Sequence, residues 1–178
     1  ARLLSETYFE EGELWAILAT IVKSLGYLQE QGIVYGVLGS DKIFIHDNSV
    51  RILDPSATAT DPLLIEKDRL YSPEILNDLH DIDMFKSDVY VAGVILLECG
   101  MLENLAKAVE PDLSEYFTTF SERYSEDLCN ILKMMLESSP NDRPSFSELK
   151  HFLVNELDMN CTLTDECDGC INPAPTDP

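Results

Sequence analysis

Basic side chains are scarce in this chain of 178 residues: Lys and Arg number 12 against 33 Asp and Glu, a formal net charge of −21. A surface so poor in cations argues against nucleic-acid backbones and anionic membranes as partners, because both are held by clustered Lys and Arg. No apolar run reaches the roughly 20 residues that cross a bilayer. Neither end carries a signal peptide or a lipidation motif, and the chain starts at Ala1 rather than Met, as a cropped or processed end would. Cysteine follows no regular framework: Cys99, Cys129, Cys161, Cys167 and Cys170 are odd in number and irregularly spaced. Without a secretion signal, reduced thiols in a cytoplasmic protein are the expectation. What is present is ordinary. A hydrophobic fraction of 45% and a charged fraction of 25% suffice for the packed core of one domain.

The apolar residues mark helices. Over 11–31, Leu14, Leu18, Ile21, Val22, Leu25 and Leu28 share one face of a 3.6-residue period. Glu10, Glu11 and Glu13 crowd its positive N-terminal end and Gly32 stops it. Residues 1–8 read as the tail of an earlier helix. Two β-prone runs, Ile43–His46 and Val50–Leu53, flank the turn residues Asp47, Asn48 and Ser49, a small hairpin. Pro55, Pro62 and Pro73 make 54–73 a long loop, of a length that is often functional. From about Lys86, with Ser87-Asp88 as the N-cap, a run apolar nearly all round predicts a buried helix. Asn104–Val109 reads as a short helix before Pro111. Ser125 caps a helix whose apolar face is Leu128, Ile131, Leu132, Met135 and Leu136. Ser145 caps the last one, with Glu148 completing a capping box. Cys99 and Cys129 lie in apolar stretches and pack as small hydrophobes. The fold class expected is mainly α with one β-hairpin: a domain over 1–157 and a disordered, acidic, Cys-containing tail over 158–178.

Three short motifs then fall in order. Ser72-Pro73-Glu74, the run Lys86-Ser87-Asp88-Val89-Tyr90-Val91-Ala92-Gly93-Val94-Ile95-Leu96, and Pro140-Asn141-Asp142-Arg143-Pro144-Ser145 resemble the C-terminal lobe of the eukaryotic protein kinases. They match the Ala-Pro-Glu end of the activation segment, the start of the central buried helix, and the motif before the last helix. The resemblance runs from about Leu4 to Leu153. It implies a buried ion pair between Glu74 and Arg143. It also implies that Asp88 caps the central helix and holds the backbone of the catalytic loop.

The reactive positions depart from the family. Where its catalytic loop reads His-Arg-Asp-Leu-Lys-Pro-x-Asn, this chain has Tyr35-Gly36-Val37-Leu38-Gly39-Ser40-Asp41-Lys42. Val37 stands at the catalytic aspartate and binds no proton; Gly39 replaces the phosphate-contacting lysine; Lys42 replaces the metal-binding asparagine. Positioned acid–base groups contribute about 10²–10⁴-fold in rate, and phosphoryl transfer depends on positioning and charge stabilisation. Asp54, in Asp54-Pro55-Ser56, keeps the metal-binding carboxylate of the Asp-Phe-Gly motif. It reads first as a turn-capping residue, with residual Mg²⁺ or nucleotide binding as the alternative. Phe44 takes the place of a smaller aliphatic residue under the adenine.

No Gly-x-Gly-x-x-Gly loop or Val-Ala-x-Lys strand is present, so the expectation is a C-lobe whose N-lobe is absent from this chain. The resemblance then implies a catalytically inactive, pseudokinase-like domain acting as a protein-binding or scaffold module. The alternatives are the C-lobe of a divergent ATP-dependent protein kinase, or a metal-independent nucleotide sensor in which Lys42 pairs with phosphate. No cofactor is expected; weak ATP/Mg²⁺ binding would need an N-lobe, with Asp54, Lys42 and Phe44 as the contacts. An upstream N-lobe, a protein partner or a second copy is expected over the apolar face near Val37 and Phe44. Cys161, Cys167 and Cys170 offer three thiols where a structural zinc takes four ligands, and read as an uncoordinated tail ahead of a metal or redox site.

Overall fold

The computed structural model describes residues 7–36, 38–46, 49–53, 70–77, 80–105 and 113–155. Six α-helices and one two-stranded antiparallel sheet make up these segments. The first helix, α1 (Glu11–Glu30), opens on Glu10, whose backbone N–H donates to Glu13 Oε2 at 2.9 Å. It ends where Gly32 takes φ +71°, a conformation that suits a residue without Cβ. The expected face is the buried one, with Leu14, Leu18, Ile21, Val22 and Leu25 in the core and Leu28 packed at its edge. Thr7 and Tyr8 are not helical, so an earlier helix does not extend to residue 8. Residues 1–6 lie outside the described segments.

Strands β1 (Ile43–His46) and β2 (Ser49–Ile52) pair in the register Ile43–Ile52, Phe44–Arg51, Ile45–Val50 and His46–Ser49. The second strand starts one residue earlier than its β-prone run, because Ser49 pairs with His46 rather than staying in the turn. Alternation puts Ile43, Ile45, Val50 and Ile52 on one face and Phe44, His46, Ser49 and Arg51 on the other; β2 packs on α1. A single turn, α2 (Pro73–Leu76), follows, and then α3 (Met84–Met101). This helix begins earlier than Lys86. Its N-cap is Asp83, whose side chain accepts the backbone N–H groups of Phe85 and Lys86, and Ser87 and Asp88 lie inside the first turns. All of Ser87–Glu98 is buried, as expected of a helix that is apolar on every side.

The helix α4 (Leu113–Ser121) has no counterpart in the sequence reading. The short helix expected over Asn104–Val109 lies outside the described residues except for Asn104 and Leu105. Ser125 caps α5 (Glu126–Met135) by accepting the N–H of Leu128, and Ser145 and Glu148 form the expected reciprocal cap at the start of α6 (Phe146–Asn155). Helix α1 packs against α6 and α3, and α3 also meets α4 and α5. Cys129 is buried in this core; Cys99 is half-buried, and burial first, then the charge of Glu98, pushes its thiol up to about 12. Both sit in the fold as inert, small apolar groups.

Two glycines let the helices meet. A Cβ at Gly93 would lie 3.0 Å from Met135 Cβ, and one at Gly100 only 2.3 Å from Phe120 Cε2. Phe120 is fully buried and its ring lies against Tyr124, tilted by 44° with centroids 4.5 Å apart, so it has little room to yield. Overpacking a core costs about 1–3 kcal/mol, while helix propensity returns up to about 1 kcal/mol for Gly→Ala. Gly100→Ala is therefore expected to destabilise by about 2 kcal/mol in urea titrations. A variant as stable as the parent would show that α3 and α4 do not meet at Gly100.

Candidate functional site

The segment between α1 and β1 is held from two sides. Asp88, on α3 and 4% exposed, accepts the backbone N–H of Tyr35 at Oδ2 and of Gly36 at Oδ1, both at 2.9 Å. Tyr35 is buried, and its hydroxyl donates to the Leu53 carbonyl at 2.6 Å. The two main-chain bonds fix the loop to the central helix, and the phenol fixes it to the exit of β2. Gly36 has φ +68°; an L-residue there is strained, so the loop is shaped around glycine at the position where the resemblance places an arginine. The resemblance gave Asp88 two tasks. It performs the second, holding the loop, while Asp83 caps the helix.

The rest of the loop leads into the hairpin through one 3₁₀ turn, Ser40–Lys42. Lys42 keeps its ammonium on Asp41 Oδ2; the lysine side chain is 18% exposed and the aspartate 66%. Its main chain is also engaged, since Lys42 N–H donates to the Gly39 carbonyl and the Lys42 carbonyl accepts the Leu53 N–H. A Cβ on Gly39 would fall 2.6 Å from Asp41 Oδ1, so a side chain at 39 and the present place of Asp41 exclude each other. Asp41, the only carboxylate of the 33–42 stretch, is thus engaged by the cation beside it. Phe44 stands on β1 opposite Arg51 and is 52% exposed. Val37 and Asp54 lie outside the described residues, as do Pro55, Ser56, Cys161, Cys167 and Cys170. Among the described residues no group of three His, Cys, Asp or Glu side chains could hold a metal ion.

A second cluster ties α2 to the end of the chain. Glu74 is 2% and Arg143 1% exposed. Two parallel bonds join them, Nη1 to Oε1 and Nη2 to Oε2, each 2.7 Å. Arg143 places its remaining N–H groups on main-chain carbonyls: Nε on Glu137, Nη1 on Lys86 at 3.1 Å and Nη2 on Ser138 at 3.0 Å. All five guanidinium donors are therefore used, and the plane lies over the Tyr90 ring, 4.7 Å from its centroid. Lys86 returns the contact through its ammonium on the Arg143 carbonyl. Burial pushes the Glu74 carboxyl up, but hydrogen bonds from Arg143, its own N–H and Ser72, with the Arg143 charge, outweigh this and hold it below the usual carboxylate range. Beside it, the hydroxyls of Ser72 and Ser87 share a buried bond of 2.9 Å.

Sequence reasoning missed two polar anchors. The Tyr35 phenol is one; its signal is an aromatic alcohol where the related loop carries a histidine. The other is Glu11, in the first turn of α1, whose carboxylate accepts the N–H and hydroxyl of Ser125 and the Trp15 indole N–H. Burial raises its pKa and those bonds lower it further, for a net depression. Glu11 reads in the sequence only as a dipole-favoured acid.

No family model matches the chain. It is 30% identical over 145 residues to a Wee1-like protein kinase of Arabidopsis thaliana, an alignment covering 78% of this chain and 29% of that protein. Over 165 residues it is 26% identical to a protein named "Probable serine/threonine-protein kinase nek3" of Dictyostelium discoideum, covering 83% of this chain and 15% of the other. It is also 27% identical over 167 residues to the "Membrane-associated tyrosine- and threonine-specific cdc2-inhibitory kinase wee-1.1" of Caenorhabditis elegans, covering 84% and 35%. These likenesses over most of the chain support a protein-kinase-like relationship. The mostly helical fold with one small antiparallel sheet is consistent with a kinase C-lobe, and the chain spans about a third or less of these relatives' lengths.

Proposed function

We propose that this protein-kinase-like lobe transfers no phosphate and works as a protein-binding module. The observation that carries the reading is the contrast within one loop. The tethers that shape it, Asp88 to Tyr35 and Gly36, are retained. The positions that would react hold Val37, Gly39 and a Lys42 whose ammonium is already on Asp41. A cation in place of a metal ligand repels the metal, and no other carboxylate in the 33–42 stretch can take over as base. On this reading the partner, an N-lobe or a separate protein, would cover the exposed Phe44 ring.

The test is transfer of labelled γ-phosphate from ATP, with Mg²⁺ or Mn²⁺, to the chain itself and to generic protein substrates. The expected incorporation equals that of an Asp54→Ala, Glu74→Ala double variant. Incorporation clearly above that background overturns the reading and revives a divergent active kinase.

A further inference from the structure

Away from this loop, two phenols stand in water. All seven tyrosines of the chain fall in the described segments; Tyr8 and Tyr27 are exposed, at 43% and 53%, and the other five are buried or half-buried. The two differ in their backbones. Tyr27 lies inside α1, where its carbonyl accepts the Gln31 N–H at 3.3 Å. Tyr8 lies in Thr7–Glu10, which has no regular structure. An enzyme that modifies a side chain must take hold of the chain on both sides of it, which an irregular segment permits and a helix resists.

The junction of α4 and α5 grips this segment with three consecutive residues. Ser125 donates to Glu11, and the Tyr124 hydroxyl donates to the carbonyl of the buried Phe9 at 3.1 Å. Arg123, itself exposed, lays its guanidinium on the Tyr8 ring, 3.3 Å from the centroid. Charges of both signs therefore face Tyr8. In sequence, Glu6, Glu10, Glu11 and Glu13 flank it, and no Lys, Arg or His stands between Arg2 and Lys23; such a segment suits an enzyme with a cationic cleft. In space, Arg123 brings the cation from 115 residues away. A phosphate on Tyr8 carries about −1.5 to −2. The carboxylates of its own segment repel it. Arg123 attracts it, and a guanidinium binds phosphate oxygens through paired N–H groups more strongly than it binds an exposed ring.

We propose that Tyr8 is a phosphorylation site for a separate protein-tyrosine kinase that selects acidic segments, and that Arg123 leaves the ring face to hold the phosphate. In that step the γ-phosphoryl group of ATP passes to Tyr8 Oη. Its bond to the β-phosphate oxygen breaks, the Oη–P bond forms, the phenol proton goes to the enzyme's base, and ADP leaves. The site does not depend on whether the loop at 35–42 transfers phosphate.

The full folded chain, with its tryptic digest as control, is given ATP, Mg²⁺ and a purified tyrosine kinase that prefers acidic flanks, and the phosphate is located by peptide mass spectrometry. In the folded chain Tyr8 is expected to be modified at least about tenfold faster than Tyr27, whose helix must open first, and Tyr8→Phe should remove that phosphate. Phosphorus NMR of the modified chain then reads Arg123. A facing cation favours the dianion, so the second phosphate pKa, about 6 when free, should lie at least about half a unit lower in the parent than in Arg123→Gln. Glu10, Glu11 and Glu13 are common to both chains and cancel in this difference. No phosphate on Tyr8 of the folded chain, faster modification of Tyr27, or equal phosphate titration in the parent and Arg123→Gln overturns the proposal.

Discussion

Glu74→Ala is expected to destabilise the fold by about 3–5 kcal/mol, and Arg143→Ala by a similar amount, because each leaves a buried charge without its partner. The loss is large for a geometric reason. Arg143 has no spare donor and no access to water; it is 1% exposed and bonded to Glu74 and to the carbonyls of Lys86, Glu137 and Ser138. Removing Glu74 strands the guanidinium, and removing Arg143 strands the carboxylate together with those carbonyls. The double alanine variant should therefore lose less than the sum of the singles. Additive losses in urea titrations would show that the side chains do not meet. The pair also sets an acid limb. A carboxyl whose folded pKa is depressed contributes stability above its unfolded value, about 4.3, and that contribution is lost as pH falls through the folded value. The stability gap between the parent and Glu74→Gln should thus be widest near neutrality and shrink in acid; Glu11, depressed in the same direction, adds an acid loss common to both and leaves the gap unchanged.

How much of this was legible in the sequence depended on whether the cause was local. Helix α1 could be read because its apolar face, its acids and Gly32 are all within the segment. The same holds for α5 and α6, whose caps Ser125 and Ser145 precede them directly. Helix α4 was missed although Leu113, Tyr116, Phe117 and Phe120 fall at helical spacing. Its Thr pair and aromatics have low helix propensity, and it is the tertiary seat of Phe120 against Gly100 that holds it. The start of α3 was misplaced because two Asp residues, Asp83 and Asp88, both look like caps. Only the long-range bonds to Tyr35 and Gly36 show which of them is engaged elsewhere. The Glu74–Arg143 link, between residues 69 positions apart, came from family motifs alone; no periodicity could have paired them. The ion pair between Asp41 and Lys42 joins neighbours in sequence, yet two adjacent exposed-type charges give no sign that they will close on each other.

The other large effect is expected at Asp88. Asp88→Ala should destabilise by about 2–6 kcal/mol, since each of the two backbone donors it now accepts costs about 1–3 kcal/mol when left buried and unpaired. The sites are Tyr35 N–H, wholly buried, and Gly36 N–H beside it. Asp88→Asn keeps the shape but not the chemistry. Its single carbonyl oxygen can serve one N–H, and its amide presents hydrogens to the other, so it should fall between alanine and the parent. The loss is also local in a way that Glu74→Ala is not. Asp88 joins α3 to the loop, whereas α5 and α6 draw their caps from Ser125 and Ser145. In hydrogen-exchange measurements Tyr35 and Gly36 should therefore lose protection well before the amides of α5, and Tyr35→Phe, which removes the phenol's bond to Leu53, should free the β2 exit while leaving those two amides protected. Unchanged exchange at Tyr35 and Gly36 in Asp88→Ala would mean that the loop holds its shape without α3.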